Sequence, residues 1–248
     1  MMTPRRLGLR SLLTFLGIVL LQPSRAVADT TWTENFEGAF GNGTNGWTVN
    51  SYGGGEGVGY KWDDMSETQA PPDFQGTFGL SPDGSWYGYC AVNSGSVMVD
   101  LFGDPVAPNG TDSQMWRVLD LTKAVPNDLN GSALTIRFLM NLPAYDTNDY
   151  FELIVLDNAT GNTILGWFRY TATAGWTTIT QSLPMANLPP GRQVKPVFKW
   201  YSNASSRSWG AAIDRIELIY KLDTTAPTGS IAMDRGSIDS DPAKENSS

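Results

Sequence analysis

The sequence predicts an all-β protein, a β-sandwich of two antiparallel sheets, on the basis of three observations. From Thr30 onward, short runs rich in Thr, Val, Ile and aromatic residues alternate with clusters of Gly, Asn, Pro and Asp. Turn signals return about every 8 to 14 residues, which is the spacing that a sandwich needs. The sequence has no long amphipathic helical pattern, and residues 112–125, DSQMWRVLDLTKAV, contain a helical turn at best.

The strands predicted in the middle of the chain follow from alternation and from the turns between them. Residues 132–140, SALTIRFLM, alternate apolar and polar side chains, which predicts a strand with one buried face. Residues 149–170, DYFELIVLDNATGNTILGWFRY, are typical of two strands around a turn at Asn158–Asn162. Further strands are predicted over residues 175–183 and 193–203, on either side of the turn LPPG.

The glycine-rich stretch at residues 51–79, SYGGGEGVGYKWDDMSETQAPPDFQGTFG, is predicted to be a long irregular loop. Its glycines do not fit the pattern G-x-G-x-x-G, and no G-K-[ST] follows them. A phosphate-binding loop is therefore not expected here.

The last predicted strand, Ala211–Leu222, is short and rich in β-branched residues, which favours a strand over a helix. A regular strand has a two-residue repeat. That repeat would place on one face Ala212, Asp214, Ile216, Leu218 and Tyr220. The prediction therefore turns the Asp214 carboxylate towards the sandwich interior, where it needs a hydrogen-bonding or ionic partner.

Residues 1–28 have the three parts of a secretory signal peptide. Arg5 and Arg6 precede the stretch LGLRSLLTFLGIVLL, whose unbroken apolar run is at 12–21, and Ala26–Ala28 is an A-x-A cleavage site before Asp29. The apolar run is shorter than the roughly 20 residues that span a bilayer, and a retained anchor is the alternative. We therefore expect a secreted or cell-surface protein with no membrane insertion after signal cleavage.

The domain is expected to occupy residues 29–222. Residues 223–248 contain few large apolar side chains and cannot form a core of their own, which predicts a flexible tail or the truncated start of another unit. The whole chain carries a net charge of −8, and removal of the basic signal peptide makes the remainder more acidic. Binding to nucleic acid is therefore not expected.

The residue types that are missing exclude several kinds of chemistry. The chain contains no histidine, which excludes Ser-His-Asp and Cys-His catalysis and histidine-ligated zinc within it. It contains a single cysteine, Cys90, so no intrachain disulfide can form. Cys90 is interpreted as a small buried apolar residue rather than a reactive thiol.

Five stretches, taken in order, resemble the jelly-roll module of the MAM type and its bacterial relatives, the immune-inhibitor-A and "choice-of-anchor" types. They are ENFEGAFGNGTNGWTVN, DYFELIVLDNATGNTILGWFRY, GWTTITQSLP, GRQVKPVFKWYSN and WGAAIDRIELI. The resemblance covers about Thr30 to Leu222 and implies a non-catalytic jelly roll that serves adhesion, domain packing or carbohydrate contact. The paired cysteines of the animal modules are absent. The later stretch TTAPTGSI resembles the first strand of an Ig-like repeat.

The same resemblance implies a structural calcium (Ca²⁺) that joins an acidic residue of the first strand to an aspartate of the last. The matching residues here are Glu37 and Asp214, with Glu34 as a competitor for the first position. Calcium prefers carboxylate and carbonyl oxygens, which suits these residue types. The alternative is that Asp214 accepts hydrogen bonds only from backbone amides at a corner of the sandwich.

Two further acidic clusters are interpreted as solvated turn residues. They are Asp146, Asn148, Asp149 and Glu152 in one cluster, and Asp63, Asp64 and Glu67 in the other. The first lacks the glycine and terminal glutamate of an EF-hand loop.

Three of the nine tryptophans, Trp62, Trp86 and Trp209, lie in or beside Gly/Ser-rich segments. Exposed there, they are candidates for stacking on a sugar, and burial as loop anchors is the alternative. The predicted function is thus a non-catalytic extracellular module that binds a polysaccharide or a cell-surface protein. The alternatives are a secreted glycoside hydrolase that uses two carboxylates and a purely structural spacer of a larger surface protein.

Overall fold

A computed structural model describes residues 29–37, 40, 44–66, 78, 82–93, 96–99, 105–143, 148–203 and 209–224. The predicted signal peptide, nearly all of the predicted tail, Asp146 and Glu67 lie outside the described residues. In the described part of the chain, no helix is long and apolar enough to cross a membrane.

The described residues form an all-β structure, as predicted. In chain order its strands are β1 (Thr30–Glu34), β2 (Trp47–Ser51), β3 (Lys61–Ser66), β4 (Trp86–Asn93), β5 (Ser96–Val99), β6 (Pro105–Val106), β7 (Asp112–Arg117), β8 (Leu119–Asp120), β9 (Ala124–Val125), β10 (Leu134–Asn141), β11 (Tyr150–Asp157), β12 (Thr163–Tyr170), β13 (Thr177–Leu183), β14 (Gln193–Tyr201) and β15 (Ala212–Leu222). Short 3₁₀ turns lie at Thr44–Gly46, Gly55–Gly57 and Met185–Asn187. The helical turn allowed within residues 112–125 does not form, because β7, β8 and β9 occupy that segment.

The strands form the two antiparallel sheets of a jelly-roll sandwich. The first sheet has the order β13-β10-β15-β4-β5-β6, with β1 and β9 paired to β15 and β3 paired to β4. The second sheet has the order β12-β11-β14-β7-β2, with β8 paired to β14. The described strand pairs are all antiparallel. The strands predicted around the Asn158–Asn162 turn are confirmed as β11 and β12.

The core lies between the sheets and is built by the alternation that the sequence shows. Ile136, Phe138 and Met140 of β10 are buried there, as are Phe151, Leu153 and Val155 of β11. The ring of Phe138 meets that of Phe198 from the opposite sheet at a centroid distance of 5.2 Å, nearly perpendicular. Such edge-to-face aromatic pairs add about 0.5–1.5 kcal/mol beyond the area that they bury.

Strand β15 is extended, as predicted, but a β-bulge interrupts its two-residue repeat. Arg137 of β10 lies opposite Glu217, whereas Leu139 lies opposite Asp214, so one residue of β10 faces two residues of β15. Arg215 occupies the bulge with φ of 46°, a left-handed conformation that is uncommon for a non-glycine residue.

The prediction that Asp214 shares a face of β15 with Ile216 and Leu218 is therefore wrong. Ile213 pairs with the core residue Met140 and belongs to the buried side, as Ile216 and Leu218 do. Asp214 pairs with Leu139 and belongs to the outer side of the first sheet. The extra residue at the bulge reverses the alternation that the sequence pattern assumed.

The long irregular loop predicted over residues 51–79 is corrected in one part. Lys61–Ser66 form β3, which pairs with β4 and carries the buried side chains of Trp62 and Met65. This strand was not predicted because glycines surround it and because its own sequence, KWDDMS, has only two large apolar residues.

Candidate functional site

The predicted pair Glu37 and Asp214 is brought to one short segment, residues 83–86. Glu37 Oε1 accepts hydrogen bonds from the backbone N–H groups of Ser85 (2.6 Å) and Trp86 (2.8 Å). Asp214 Oδ2 accepts one from the N–H of Asp83 (3.2 Å), and Oδ1 accepts one from that of Arg215 (2.7 Å). The two carboxylates therefore both accept hydrogen bonds from the main chain of this one turn.

The turn between these carboxylates depends on a glycine. Gly84 has φ of 112°, which side-chain-bearing residues rarely adopt, and a Cβ there would collide with Glu37 Oε1. Asp214 is fully buried even though it lies on the outer side of its sheet. Because a buried charge without partners is costly, the contacts to main-chain amides explain how this position tolerates an aspartate.

Glu34, the competitor for Glu37, does not reach this segment. Its Oε1 accepts the N–H of Phe36 (3.0 Å) and its Oε2 accepts Asn45 Nδ2 (3.3 Å), so it holds the connection between β1 and β2. Of the two acids near the first strand, Glu37 is the one that contacts the same segment as Asp214.

For calcium, the described residues supply only part of a ligand set. Within the described ranges, no three His, Cys, Asp or Glu side chains gather into a group that could hold a metal ion. Two carboxylates provide at most four of the six to eight oxygens that calcium takes. The contacts of Asp214 are those of the amide-binding alternative, with both oxygens engaged by main-chain N–H groups.

The two other acidic clusters are less solvated than predicted. Asp149 and Glu152 are buried, and Asp149 accepts the N–H of Asn203 (2.8 Å) while Glu152 pairs with Arg169 (3.2 Å). Asp63 and Asp64 lie in strand β3 rather than in a turn. Burial, and then the hydrogen bond and charge of Asp63, raise the pKa of Asp64 to about 6.

The three candidate tryptophans differ in exposure, and the stacking role of Trp62 is wrong. Trp62 is fully buried and its Nε1 donates to the carbonyl oxygen of Ser113 (3.1 Å). Trp86 and Trp209 are half-buried and pack against the core. Trp209 also accepts, through its carbonyl, a hydrogen bond from the Tyr89 hydroxyl (2.7 Å). The described contacts of these two rings fit the alternative interpretation, in which they anchor loops.

Cys90 is a buried free thiol whose Sγ accepts the N–H of Ala211 (3.0 Å). Burial raises the pKa of this thiol well above its usual range. Both observations agree with the interpretation of Cys90 as a packing residue, because a nucleophilic cysteine needs access to solvent and a lowered pKa.

A shallow depression of about 320 Å³ lies on the outer side of the first sheet. It is lined by Arg137, Phe138, Leu139, Thr178, Arg215 and Glu217. Both arginines hydrogen-bond the Glu217 carboxylate, one to each oxygen. Because its single carboxylate is already held by two guanidinium groups, this depression is better described as an ion-pair network than as an acid–base site.

The outer side of the second sheet carries a set of side chains that the sequence analysis missed. We call this surface the tyrosine face. One row across β11, β14, β7 and the end of β2 contains Tyr150, Tyr201, Asp112 and Tyr52. The next row, across β12, β11, β14, β7 and β2, contains Arg169, Glu152, Lys199, Gln114 and Asn50.

The rings of the tyrosine face are held by their neighbours. Tyr150 and Tyr201 stack at a centroid distance of 5.1 Å, and the guanidinium of Arg169 lies 3.6 Å from the Tyr150 centroid. The hydroxyl of Tyr52 accepts a hydrogen bond from Asn50 (3.1 Å), and the Tyr52 side chain is 57% exposed. Burial raises the pKa of Tyr150 above its usual value, so its hydroxyl stays protonated at neutral pH.

The charges of this face are internally paired. Lys199 Nζ lies 3.1 Å from Asp112 Oδ2, and Gln114 donates to the other Asp112 oxygen (3.1 Å). Glu152 pairs with Arg169 across the same rows. The sequence signal for this face was the alternation in DYFELI and FKWY. Neighbouring side chains in a strand point to opposite faces, so a tyrosine next to a core Phe or Trp points outwards.

Comparisons with known proteins identify similar folds but no family. No family model matches the chain, and no curated protein matches it. Similar solved structures include a family 61 carbohydrate-binding module in complex with β-1,4-galactotriose, with TM-score 0.42, 11% identity, and coverage of 75% of this chain and 97% of that one. The CBM22-1 xylan-binding domain of Paenibacillus barcinonensis Xyn10C has TM-score 0.41 and 14% identity, covering 81% and 99%.

An enzyme domain is also among the similar structures. The enzymatically active domain of tailspike protein 4 from bacteriophage CBA120 has TM-score 0.38 and 13% identity, covering 72% of this chain and 19% of that one. Similarity at this level includes both binding modules and an enzyme, and we draw no functional conclusion from it. The resemblance to MAM-type modules stays a prediction.

Proposed function

We propose that this chain is a non-catalytic extracellular jelly-roll module that binds a neutral glycan on the tyrosine face. The observation that carries the proposal is the row of Tyr52, Tyr201 and Tyr150 on the outer side of the second sheet, beside a row of amide and charged side chains. Sugars present apolar C–H surfaces and many hydroxyl groups, and this face offers aromatic rings and hydrogen-bonding groups in adjacent rows.

The fixed geometry of the face supports binding of a flexible chain. Arg169, Tyr150 and Tyr201 form a continuous stack, and Lys199 is tied to Asp112. Immobilising a rotamer-rich side chain on binding costs about 0.5–1.5 kcal/mol, and groups that are already held do not incur that cost again.

The pairing of charges supports a neutral ligand rather than an anionic one. In the two rows that define the tyrosine face, Arg169 and Lys199 are each matched by a carboxylate. The net charge of −8 adds general repulsion towards polyanions.

The absence of histidine and the arrangement of acids support a non-catalytic role. Glycoside hydrolases place two carboxyl groups about 5–9.5 Å apart across the scissile bond. On the tyrosine face, Asp112 and Glu152 are each engaged by a basic side chain. The hydrolase alternative predicts release of reducing ends from polysaccharides, and the spacer alternative predicts no glycan binding at all.

The proposal is tested by isothermal titration of the domain with neutral polysaccharides, using Tyr201→Ala and Tyr52→Ala. Each variant is expected to weaken binding about fivefold or more, if a sugar ring on an aromatic side chain gains about the 1–3 kcal/mol that a stacked nucleobase does. Thr178→Ala, on the outer side of the first sheet, is the matched control and should bind as the wild type does. Unchanged binding by both tyrosine variants would contradict the proposal.

We further propose the structural calcium at Glu37 and Asp214, with main-chain carbonyls and water supplying the remaining oxygens. Its support is that these two acids, 177 positions apart (214 − 37), hold one turn. At a calcium concentration 100 times Kd, the folded state gains about 2.7 kcal/mol. Asp214→Ala should remove the calcium-dependent rise in Tm, and Asp128→Ala should keep it. A wild type that does not respond to calcium would leave the amide-binding alternative.

A further inference from the structure

A second depression lies just beyond the end of the tyrosine face. It has a volume of about 420 Å³ and is lined by Gly54, Gly55, Glu56, Asn109 and Gly110. Small-molecule sites commonly have volumes of about 300–1,000 Å³. Tyr52 stands two residues before its first lining residue, so the two Cα atoms lie within about 7 Å of each other.

The walls of this depression are main chain and are held rigidly. The N–H of Gly54 donates to the carbonyl of Gly110 (3.0 Å), and the N–H of Gly110 donates to that of Asn203 (2.9 Å). A Cβ at Gly57 would collide with the backbone of Gly110 and Thr111. Glycine is therefore required at position 57 for the two segments to pack closely.

Gly54 differs from Gly57, because the fold does not require a glycine there. Its φ of −117° and ψ of 166° are extended values that any residue adopts, and nothing lies within 4 Å of a Cβ built on it. The missing side chain leaves open the space that the depression occupies. A larger residue at this position would fill the depression without straining the backbone.

Asn109 supplies a polar group that lacks a partner. Its Oδ1 atom is buried and accepts no hydrogen bond from any described residue. A buried polar atom without a partner costs about 1–3 kcal/mol. The side-chain amide of Asn109 has two orientations, which exchange its oxygen and its NH₂ group. Because a hydroxyl group both donates and accepts, it hydrogen-bonds the amide in either orientation.

We propose that this depression binds one hydroxyl-rich ring of the neutral glycan whose other units cross the tyrosine face, and this inference rests on the proposed function. Asn109 and the Glu56 carboxylate bond the hydroxyl groups of the ring, and the exposed Tyr52 side chain contacts its apolar surface. The net charge of −8 of the chain disfavours a uronic acid or a sulfated sugar here. The depression thus makes the module selective for a neutral unit at this position of the chain.

The test measures Kd by titration with neutral oligosaccharides of one to six units, with oligogalacturonate as the anionic comparison. Gly54→Val should raise Kd at least tenfold without lowering Tm, and Asn109→Ala should raise it severalfold. Gly166→Val is the matched control, because Gly166 lies in β12 with open space around its Cβ. Its Kd should equal that of the wild type.

The outcomes separate the two proposals. Wild-type binding that Tyr201→Ala weakens but Gly54→Val leaves unchanged would overturn the depression as a subsite and keep the tyrosine face. Equal or tighter binding of oligogalacturonate would overturn the neutral-sugar assignment. A wild type that binds none of the glycans would overturn the proposed function itself.

Discussion

Removal of the Asp214 carboxylate measures how much the main-chain contacts stabilise the sandwich without any metal. In Asp214→Ala, the N–H groups of Arg215 and Asp83 lose a side-chain acceptor that lies at 2.7 Å and 3.2 Å. A donor left without its acceptor in a buried site costs about 1–3 kcal/mol. The longer contact is to the N–H of Asp83, a half-exposed residue that water can reach, so its loss costs less. We expect the free energy of unfolding to fall by about 3–5 kcal/mol in total.

The assay is urea unfolding followed by tryptophan fluorescence, in EDTA so that calcium does not contribute. For a domain of about 200 residues, each kcal/mol corresponds to about 2–4 °C in Tm, which gives a second readout. Asp128→Ala is the control: the Asp128 side chain is 62% exposed, and its pair with Lys221 is worth at most about 1 kcal/mol. A loss below about 1 kcal/mol for Asp214→Ala would refute the reasoning. Asp214→Asn keeps one acceptor oxygen, so its free energy of unfolding should lie between those of the wild type and Asp214→Ala.

Three further predictions concern titration, reactivity and strain. The raised pKa of Asp64, about 6, means that the folded chain holds a proton there that the unfolded chain loses above about pH 4. The contribution of Asp64 to the free energy of unfolding of the wild type therefore falls as pH rises from about 4 to 6. In urea melts between about pH 4 and 7, Asp64→Asn should become more stable relative to the wild type as pH rises. A stability difference between the two proteins that stays constant with pH would contradict this. Cys90 should resist a thiol reagent at pH 8 in the native state and react fully in denaturant, whereas rapid native labelling would show an accessible thiol. Arg192 has φ of 50°, so Arg192→Gly should stabilise the domain by about 0.5–1 kcal/mol in the same melts, and a loss would show that its side chain matters more than its backbone.

The strands that could be predicted from the sequence are those with long, clean alternation. Residues 132–140 and 149–170 show it, and they form β10 and the β11–β12 hairpin. Strand β3 escaped prediction because it is short and its flanks are rich in glycine and acid. The bulge in β15, where Arg215 has a left-handed φ, escaped because it is defined by the pairing of β15 with β10, a strand far away in the sequence.

The candidate site could be predicted only in part, for a related reason. The pairing of Glu37 and Asp214 with one turn follows the order of strands that the resemblance implied, whereas the turn at 83–86 itself had no signature in the sequence. The outward orientation of Tyr150 and Tyr201 was present in the alternation of their strands. Their meeting with Asp112 required the sheet order β11-β14-β7, which joins segments far apart in the chain and cannot be read from local patterns.

Strand β15 pairs with β1, β4, β9 and β10, so the first sheet is assembled around the segment that is translated last among the described strands. Its contact between Thr30 and Tyr220 spans 190 positions (220 − 30). Loop closure over such distances slows folding, and β-rich topologies of this kind fold in about milliseconds to seconds rather than microseconds. The polypeptide emerging from the ribosome therefore lacks the strand that joins these elements, and the first sheet cannot close until Ala212–Leu222 has been synthesised.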